Sequence, residues 1–246
     1  MASVYTEKFQ IAANMVDCFG RARPSTLLYL AQEAAGGHCT QLQLDWDTLA
    51  GKGLFWALIR CTVQVTSLPT VGQTVTVETW PMPTTRTAFP RSTVCRDEKG
   101  NELFRVIALW VLMDIHTRAM VLPGKSGILL EGTAFGTELA NPTSLLPVTG
   151  DRSVYRQVGY TELDRNGHMN NTRYMNWVDD LLPAAFHREH PVRQFSICYM
   201  SEVREGEELL LDWRLSDGPE LLVDAYREMT EDGKKNARVF SAKVIF

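Results

Sequence analysis

Residues 162–180 read ELDRNGHMNNTRYMNWVDD. The first half sets Asp164, Asn166 and His168 at alternate positions. The second half carries Tyr174, Met175, Trp177, Val178, Leu181 and Leu182 at helical spacing, with Pro183 as a stop. Alternate residues of an extended segment share a face, so the acid, the amide and the imidazole are expected to converge. A helix over 171–182 directly behind them would fix the cluster against a core. The same residues also read as a turn with helix caps, because Asp and Asn favour turns and Asn170 or Asn171 suits an N-cap.

Working outward, a strand is expected over 154–160 and further strands over 194–200, 207–215, 221–228 and 237–246. The first half of the chain carries the same series. Phe9-Gln-Ile11 reads as a leading strand, and Pro24-Ser25 opens a helix, Pro being suited to a first helical position. Leu27, Leu28, Leu30, Ala31, Ala34, Ala35 and His38 form its buried face. The small run Ala34-Ala35-Gly36-Gly37 predicts close packing on that helix. Runs rich in Val, Thr, Trp and Phe then predict strands over 55–65, 74–80, 86–95 and 102–113.

Pro and Gly residues scattered through 121–153 predict a connector between the two series. Residues 67–72 align with 201–206 at an offset of 134, residues 104–111 with 237–244 at 133, and Tyr29 with Tyr174 at 145. The collinear order implies a duplication. A strand, a long apolar helix and four strands are the content of a hot-dog unit, and two units side by side cover edges that one leaves open. The expected fold is α+β, a tandem hot-dog in which each antiparallel sheet wraps a long helix. Its parts are an N-terminal unit over 1–120, a connector over 121–153 and a C-terminal unit over 154–246.

The chain has 246 residues, of which 45% are hydrophobic, and a net charge of -4. That balance gives no overall pull toward nucleic acid or an anionic membrane. Five cysteines with no CxxC spacing imply neither a disulfide framework nor a zinc site, and a reducing compartment is expected. No apolar run approaches the roughly 20 residues of a membrane span. The first residues have neither secretory nor transit character, so a soluble cytoplasmic protein is expected. Pro123-Gly-Lys-Ser126 lacks the upstream glycine of a phosphate loop, and His187-Arg-Glu-His190 is one residue short of an HxxEH zinc motif. Trp46, Trp56, Trp80 and Trp110 are expected in the core.

Asp164-Arg-Asn166-Gly-His168-Met-Asn170-Asn171 leading into a helix, with Tyr199-Met-Ser-Glu202 later, resembles the acyl-[acyl carrier protein] thioesterases. Gln32-Glu33-Ala34, the stretch from Gly72 to Thr79-Trp80, and Leu109-Trp110-Val111 are further echoes. The resemblance covers nearly the whole chain. It implies hydrolysis of fatty acyl thioesters of acyl carrier protein by water, with no metal and no cofactor. Asp164, Asn166, His168 and Glu202 would form the catalytic site.

In that site Glu202 would be the water-activating base, its pKa raised by burial. Asn166 and adjoining backbone would hold the substrate, while Asp164 and His168 complete the network. The N-terminal unit would supply the acyl-chain pocket, between its helix and sheet. Where some plant relatives have a cysteine after the glutamate this chain has Val203, so water rather than a cysteine is expected to attack. Arg23 is set opposite His168, so one site per chain is expected.

The expected partner is the acidic carrier protein, docking on Arg21, Arg23, Arg165 and Arg173. Neither nucleic acid nor membrane is expected, and the oligomeric state, a homodimer included, stays open. The alternatives are an acyl-CoA thioesterase of the same fold and a non-catalytic acyl-thioester sensor.

Overall fold

The computed structural model describes residues 4–227 and 237–246. The end of the strand expected over 221–228 and the first three residues of the chain fall outside them. The chain forms two compact units, residues 1–142 and 143–246.

The first unit opens with β1 (Tyr5–Gln10), followed by α1 (Pro24–Gln41) and a short α2 (Trp46–Ala50). Strands β2 (Leu54–Val65), β3 (Thr74–Pro81), β4 (Phe89–Arg96) and β5 (Glu102–Asp114) follow, and β6 (Met120–Val121) adds to β5. All pair antiparallel, in the order β1-β3-β4-β5-β2. Pro24 stands in the first turn of α1, and the helix buries the face read from sequence together with Pro24, Ser25 and Thr26. The packing partner of its small residues is Tyr5, whose ring lies across Gly37 so closely that a β-carbon there would collide with it. Gly36 has nothing so near.

The second unit repeats the order. Strand β7 (Arg152–Gln157) leads, followed by α3 (Arg173–Asp179), α4 (Ala184–Glu189), β8 (Gln194–Tyr199), β9 (Glu208–Leu215), β10 (Glu220–Tyr226) and β11 (Arg238–Ile245). Its sheet runs β7-β9-β10-β11-β8, strand for strand the order of the first unit. The single long helix expected here is replaced by two short ones. The chain leaves helical hydrogen bonding after Asp180, and Pro183, which cannot donate to a preceding turn, starts the second piece. Tyr174 of α3 packs edge-on to Phe240 of β11 and to Tyr199 of β8, with ring centres 5.0 and 5.3 Å apart. His187 and His190, the pair in the incomplete zinc motif, contact the backbone carbonyls of Asp179 and Phe186 at 2.9 and 3.0 Å.

Backbone hydrogen bonds fix the internal alignment more closely than the sequence does. Ile11 exchanges bonds with Gln73 and Gly72, and Val158 does the same with Glu207 and Gly206. Leading segments thus correspond at an offset of 147 and the turn before the second main strand at 134. Leu27, not Tyr29, takes the place of Tyr174, and Tyr29 is 38% exposed where Tyr174 is buried. The last strands align at 136 rather than 133, since Val65 faces Phe104 as Tyr199 faces Phe240. The offset of 133 is three residues short, an odd slip that would turn every side chain of the strand to its other face.

Inside the first unit, His38 of α1 is fully buried, and its ring stacks on Tyr5 with centres 5.7 Å apart. Its Nδ1 lies 3.1 Å from Nη1 of Arg91. Burial, with the neighbouring Arg91 guanidinium, pushes its pKa down from 6.5 to about 4. The unfolded chain therefore takes up a proton between about pH 6.5 and 4 that the folded chain refuses, so stability falls as pH falls through that window. The expected loss is on the order of 3 kcal/mol. Urea melts at pH 7 and pH 5 should show a steeper acid loss for the wild type than for His38→Gln. Equal slopes would exclude His38 as the source.

Candidate active site

The stretch 163–169 is a tight hairpin, not an extended segment. Leu163 bridges Met169, the Asp164 N–H donates to the His168 carbonyl at 2.8 Å, and Gly167 donates to the Asp164 carbonyl at 3.0 Å. Gly167 has φ of +74°, a left-handed conformation that glycine adopts without a Cβ penalty. The Asp164 carboxylate sits inside this turn. It accepts from the N–H groups of Asn166 and His168 at 2.8 and 3.2 Å, and more weakly from Asn166 Nδ2 at 3.4 Å. Both expected readings are therefore partly met: the residues are close, but through a turn whose acid is its brace.

The first unit contains the same turn without the polar set. Asp17 N–H donates to the Arg21 carbonyl, Gly20 donates to Asp17, and Gly20 has φ of +75°. The Asp17 carboxylate accepts from the N–H groups of Phe19 and Arg21, each at 2.9 Å. Phe19 thus stands where Asn166 stands, and Arg21, rather than Arg23, where His168 stands. Leu68 takes the place of Glu202. A bracing aspartate is common to both turns, whereas the amide, the imidazole and the glutamate are confined to the second unit.

The turn delivers His168 to Glu202. His168 bridges Arg204, and the Met169 N–H donates to the Val203 carbonyl at 2.8 Å, lacing the hairpin to the segment after β8. The two side chains meet with His168 Nε2 3.4 Å from Glu202 Oε2. His168 is nearly enclosed, its side chain 12% exposed, while that of Glu202 is 42% exposed. The burial expected for Glu202 is therefore not what the structure provides; its side chain is partly open to solvent. Asn166 is exposed at the tip of the turn.

Further residues frame this pair, and two of them, Glu162 and Arg227, carry no site role in the sequence reading. The Glu162 carboxylate accepts from Trp177 Nε1 of α3 at 2.6 Å and from the Gly159 N–H at 2.9 Å, pinning the hairpin to the helix behind it. The Asn170 side chain accepts from the Thr172 N–H and hydroxyl at 2.9 and 2.7 Å, so it braces the turn that leads into α3. Tyr199 donates its hydroxyl to the Asn171 carbonyl at 2.8 Å. Arg227 donates to the Glu202 carbonyl, to Ser201 Oγ at 2.9 Å and to the Glu207 carboxylate at 3.1 Å. It holds the backbone on which Glu202 is mounted.

Of the arginines read as docking residues, Arg21 pairs with Asp17 at 2.9 Å and Arg23 donates to the Asn14 carbonyl at 3.1 Å. Arg165 and Arg173 are exposed beside the hairpin. No helix among the described residues is long and apolar enough to cross a membrane.

Residues 2–122 match the acyl-ACP thioesterase N-terminal domain and residues 150–241 the acyl-ACP thioesterase C-terminal domain. Oleoyl-acyl carrier protein thioesterase 1 of Arabidopsis thaliana is 24% identical over 222 residues, covering 82% of this chain and 61% of that protein. Dodecanoyl-[acyl-carrier-protein] hydrolase of Umbellularia californica is 31% identical over 189 residues, covering 70% of this chain and 49% of that one. The chain thus spans about half to three fifths of the length of these curated relatives. The crystal structure of an acyl-ACP thioesterase from Bacteroides thetaiotaomicron has the same fold, with a TM-score of 0.84 at 23% identity, covering 99% of this chain and 97% of that one. With both domain families matched in order along a duplicated hot-dog chain, this protein belongs to the acyl-ACP thioesterase family.

Proposed function

We propose that the chain hydrolyses fatty acyl thioesters of acyl carrier protein, giving the free fatty acid and the carrier protein. The observation that carries this reading is the His168–Glu202 pair, present only in the second unit of a chain of this family. Glu202, open to solvent, takes a proton from water as its oxygen attacks the thioester carbonyl. The C–O bond forms, the C–S bond breaks, and the proton taken by Glu202 passes through His168 to the departing thiolate. The Asn166 amide faces the developing oxyanion. Asp164 is a positioning residue, as its twin Asp17 in the first unit suggests.

The acyl chain is proposed to lie in the first unit, beneath α1. Arg165 and Arg173 are proposed to meet the acidic carrier protein. None of the five cysteines, all among the described residues, is in a disulfide, and three are buried, which fits a reducing compartment and the cytoplasm as the site of action.

Release of free fatty acid from a panel of carrier-protein thioesters tests the reading. Turnover should exceed that of acyl-CoA bearing the same acyl group. Faster turnover of acyl-CoA would assign the carrier differently, and binding without release at any chain length would make the chain a sensor.

The Asp164 role has its own test. Asp164→Ala strips the acceptor from two backbone N–H groups and should cost about 1–2 kcal/mol of stability with a loss of activity. Asp164→Asn keeps an acceptor oxygen and should recover most of both. An Asn variant as inactive as Ala would give the carboxylate charge a part in the chemistry.

A further inference from the structure

Beneath α1 the first unit holds a narrow cleft lined by apolar side chains, Leu28, Ala31, Leu58, Val106 and Ala108 among them, and by four polar ones: Gln32, Arg91, Thr93 and Trp110. Arg91 lies on β4 and is only 6% exposed. Its guanidinium touches His38 Nδ1 at 3.1 Å, Thr79 Oγ1 at 3.3 Å and Cys39 Sγ at 4.0 Å. None of these carries a negative charge at neutral pH. His38 is held neutral, and burial pushes the Cys39 thiol up despite the nearby guanidinium. No carboxylate among the described residues pairs with Arg91.

An interior cation without a counter-charge costs several kcal/mol, so most are paired. Here the neighbouring polar atoms add donors and no acid. Gln32 Nε2 and Trp110 Nε1 are buried with no hydrogen-bond partner. The Thr79 hydroxyl is already committed, since it donates to the Ser92 carbonyl at 2.9 Å and accepts from Thr93 at 3.0 Å. One guanidinium and two neutral N–H donors on an apolar wall describe the complement of a planar monoanion attached to a hydrocarbon chain. A carboxylate accepts at both oxygens and suits the guanidinium fork, whereas a phosphate dianion would leave one charge unmatched.

We propose that this cleft binds the carboxylate of an alkyl carboxylic acid, with Arg91 as its counter-charge and Gln32 and Trp110 as hydrogen-bond donors. The binding itself does not depend on thioester hydrolysis. Under the hydrolytic reading the carboxylate has two sources, the free fatty acid product and the far end of an ω-carboxyacyl substrate.

Calorimetric titration of the intact chain with octanoate and with octanol tests the proposal without any thioester. Octanoate should bind at least about tenfold more tightly than octanol. Arg91→Met should weaken octanoate roughly 10- to 100-fold and leave octanol nearly unchanged, and Trp110→Phe, close in shape, should weaken octanoate by roughly 3- to 10-fold. Equal affinity for acid and alcohol in the wild type, or octanoate affinity within twofold of wild type in both variants, would overturn it, leaving Arg91 merely hydrated. If Arg91→Met fails to fold, the wild-type comparison and Trp110→Phe decide alone.

The sources then separate by kinetics. Octanoate inhibition of hydrolysis that weakens in Trp110→Phe identifies the product. Turnover of an ω-carboxyacyl thioester above that of the plain acyl thioester, lost in the same variant, identifies the substrate. A chain that binds octanoate but hydrolyses nothing would refute the hydrolytic reading and leave this one standing.

Discussion

Glu202→Gln is expected to lower the proposed turnover of acyl-carrier-protein thioesters by roughly 10²- to 10⁴-fold, the range associated with a general base, with little change in substrate affinity. Glutamine preserves the size of the side chain and can still face His168 Nε2, 3.4 Å away in the wild type. What it loses is the capacity to take a proton. If Glu202 served only to orient the imidazole, the amide would do that nearly as well and most of the rate would survive. The comparison that decides is therefore Gln against Ala. Equal, severe losses place the base at Glu202, whereas substantial rescue by Gln moves the base to His168.

His168→Ala should fall by a comparable factor, and the double variant should be scarcely worse than either single one. Two groups that act on the same water and the same leaving thiolate form a unit, and removal of one already forfeits the contribution of both. Additive losses in the double variant would mean that the pair acts on separate steps. Folding is a poor explanation for losses at Glu202, because its side chain is 42% exposed and the backbone beneath it is held by Arg227.

Much of this arrangement is legible in the chain itself. The helical period from Pro24 onward, the alternating runs that become β2 to β5, and the polar set before Tyr174 are local patterns, and local patterns survive folding. The role of Asp164 is not local in that sense. Whether Asp-x-Asn-x-His lies extended or turns back depends on Gly167 adopting a positive φ, which spacing alone does not reveal. A clue was present: Asp17-Cys-Phe-Gly-Arg21 and Asp164-Arg-Asn-Gly-His168 share the aspartate and the glycine. Aligning Arg23 with His168 missed it by two residues.

The helix of the second unit was over-extended because Leu181 and Leu182 continue its apolar face, while the approach to Pro183 ends its hydrogen bonding. Arg91 and Trp110 were hidden for a different reason. An arginine in a strand reads as a surface residue and a tryptophan as core, and only the packing of α1 over the sheet makes both of them line a cleft.

Asp224→Leu is expected to destabilise the second unit by about 3–5 kcal/mol, the cost of breaking a buried charge pair from one side. Asp224 is fully buried on β10, and its carboxylate gathers donors from three segments. Val148 N–H reaches it at 2.7 Å, Arg238 Nη1 at 3.2 Å and the Tyr226 hydroxyl at 3.3 Å, with the Ser241 hydroxyl closer still. Burial and that carboxylate push the Tyr226 phenol up to about 12, so it stays a donor.

Leucine would keep the branching of the side chain, in a bulkier form, but leave four donors without an acceptor, one of them a guanidinium that also holds the Leu145 carbonyl at 3.2 Å. Asp224→Asn should lose less, because one oxygen remains for Val148 or Arg238. The effect should also be local: amide exchange at Val148 should accelerate ahead of the sheet, whereas that of Gly150, anchored separately on Asp212 at 3.0 Å, should follow only in part. Urea melts of the three chains give the ranking. A leucine variant within 1 kcal/mol of wild type would mean that water replaces the carboxylate as acceptor and that the segment from Leu145 to Gly150 is held by its other contacts.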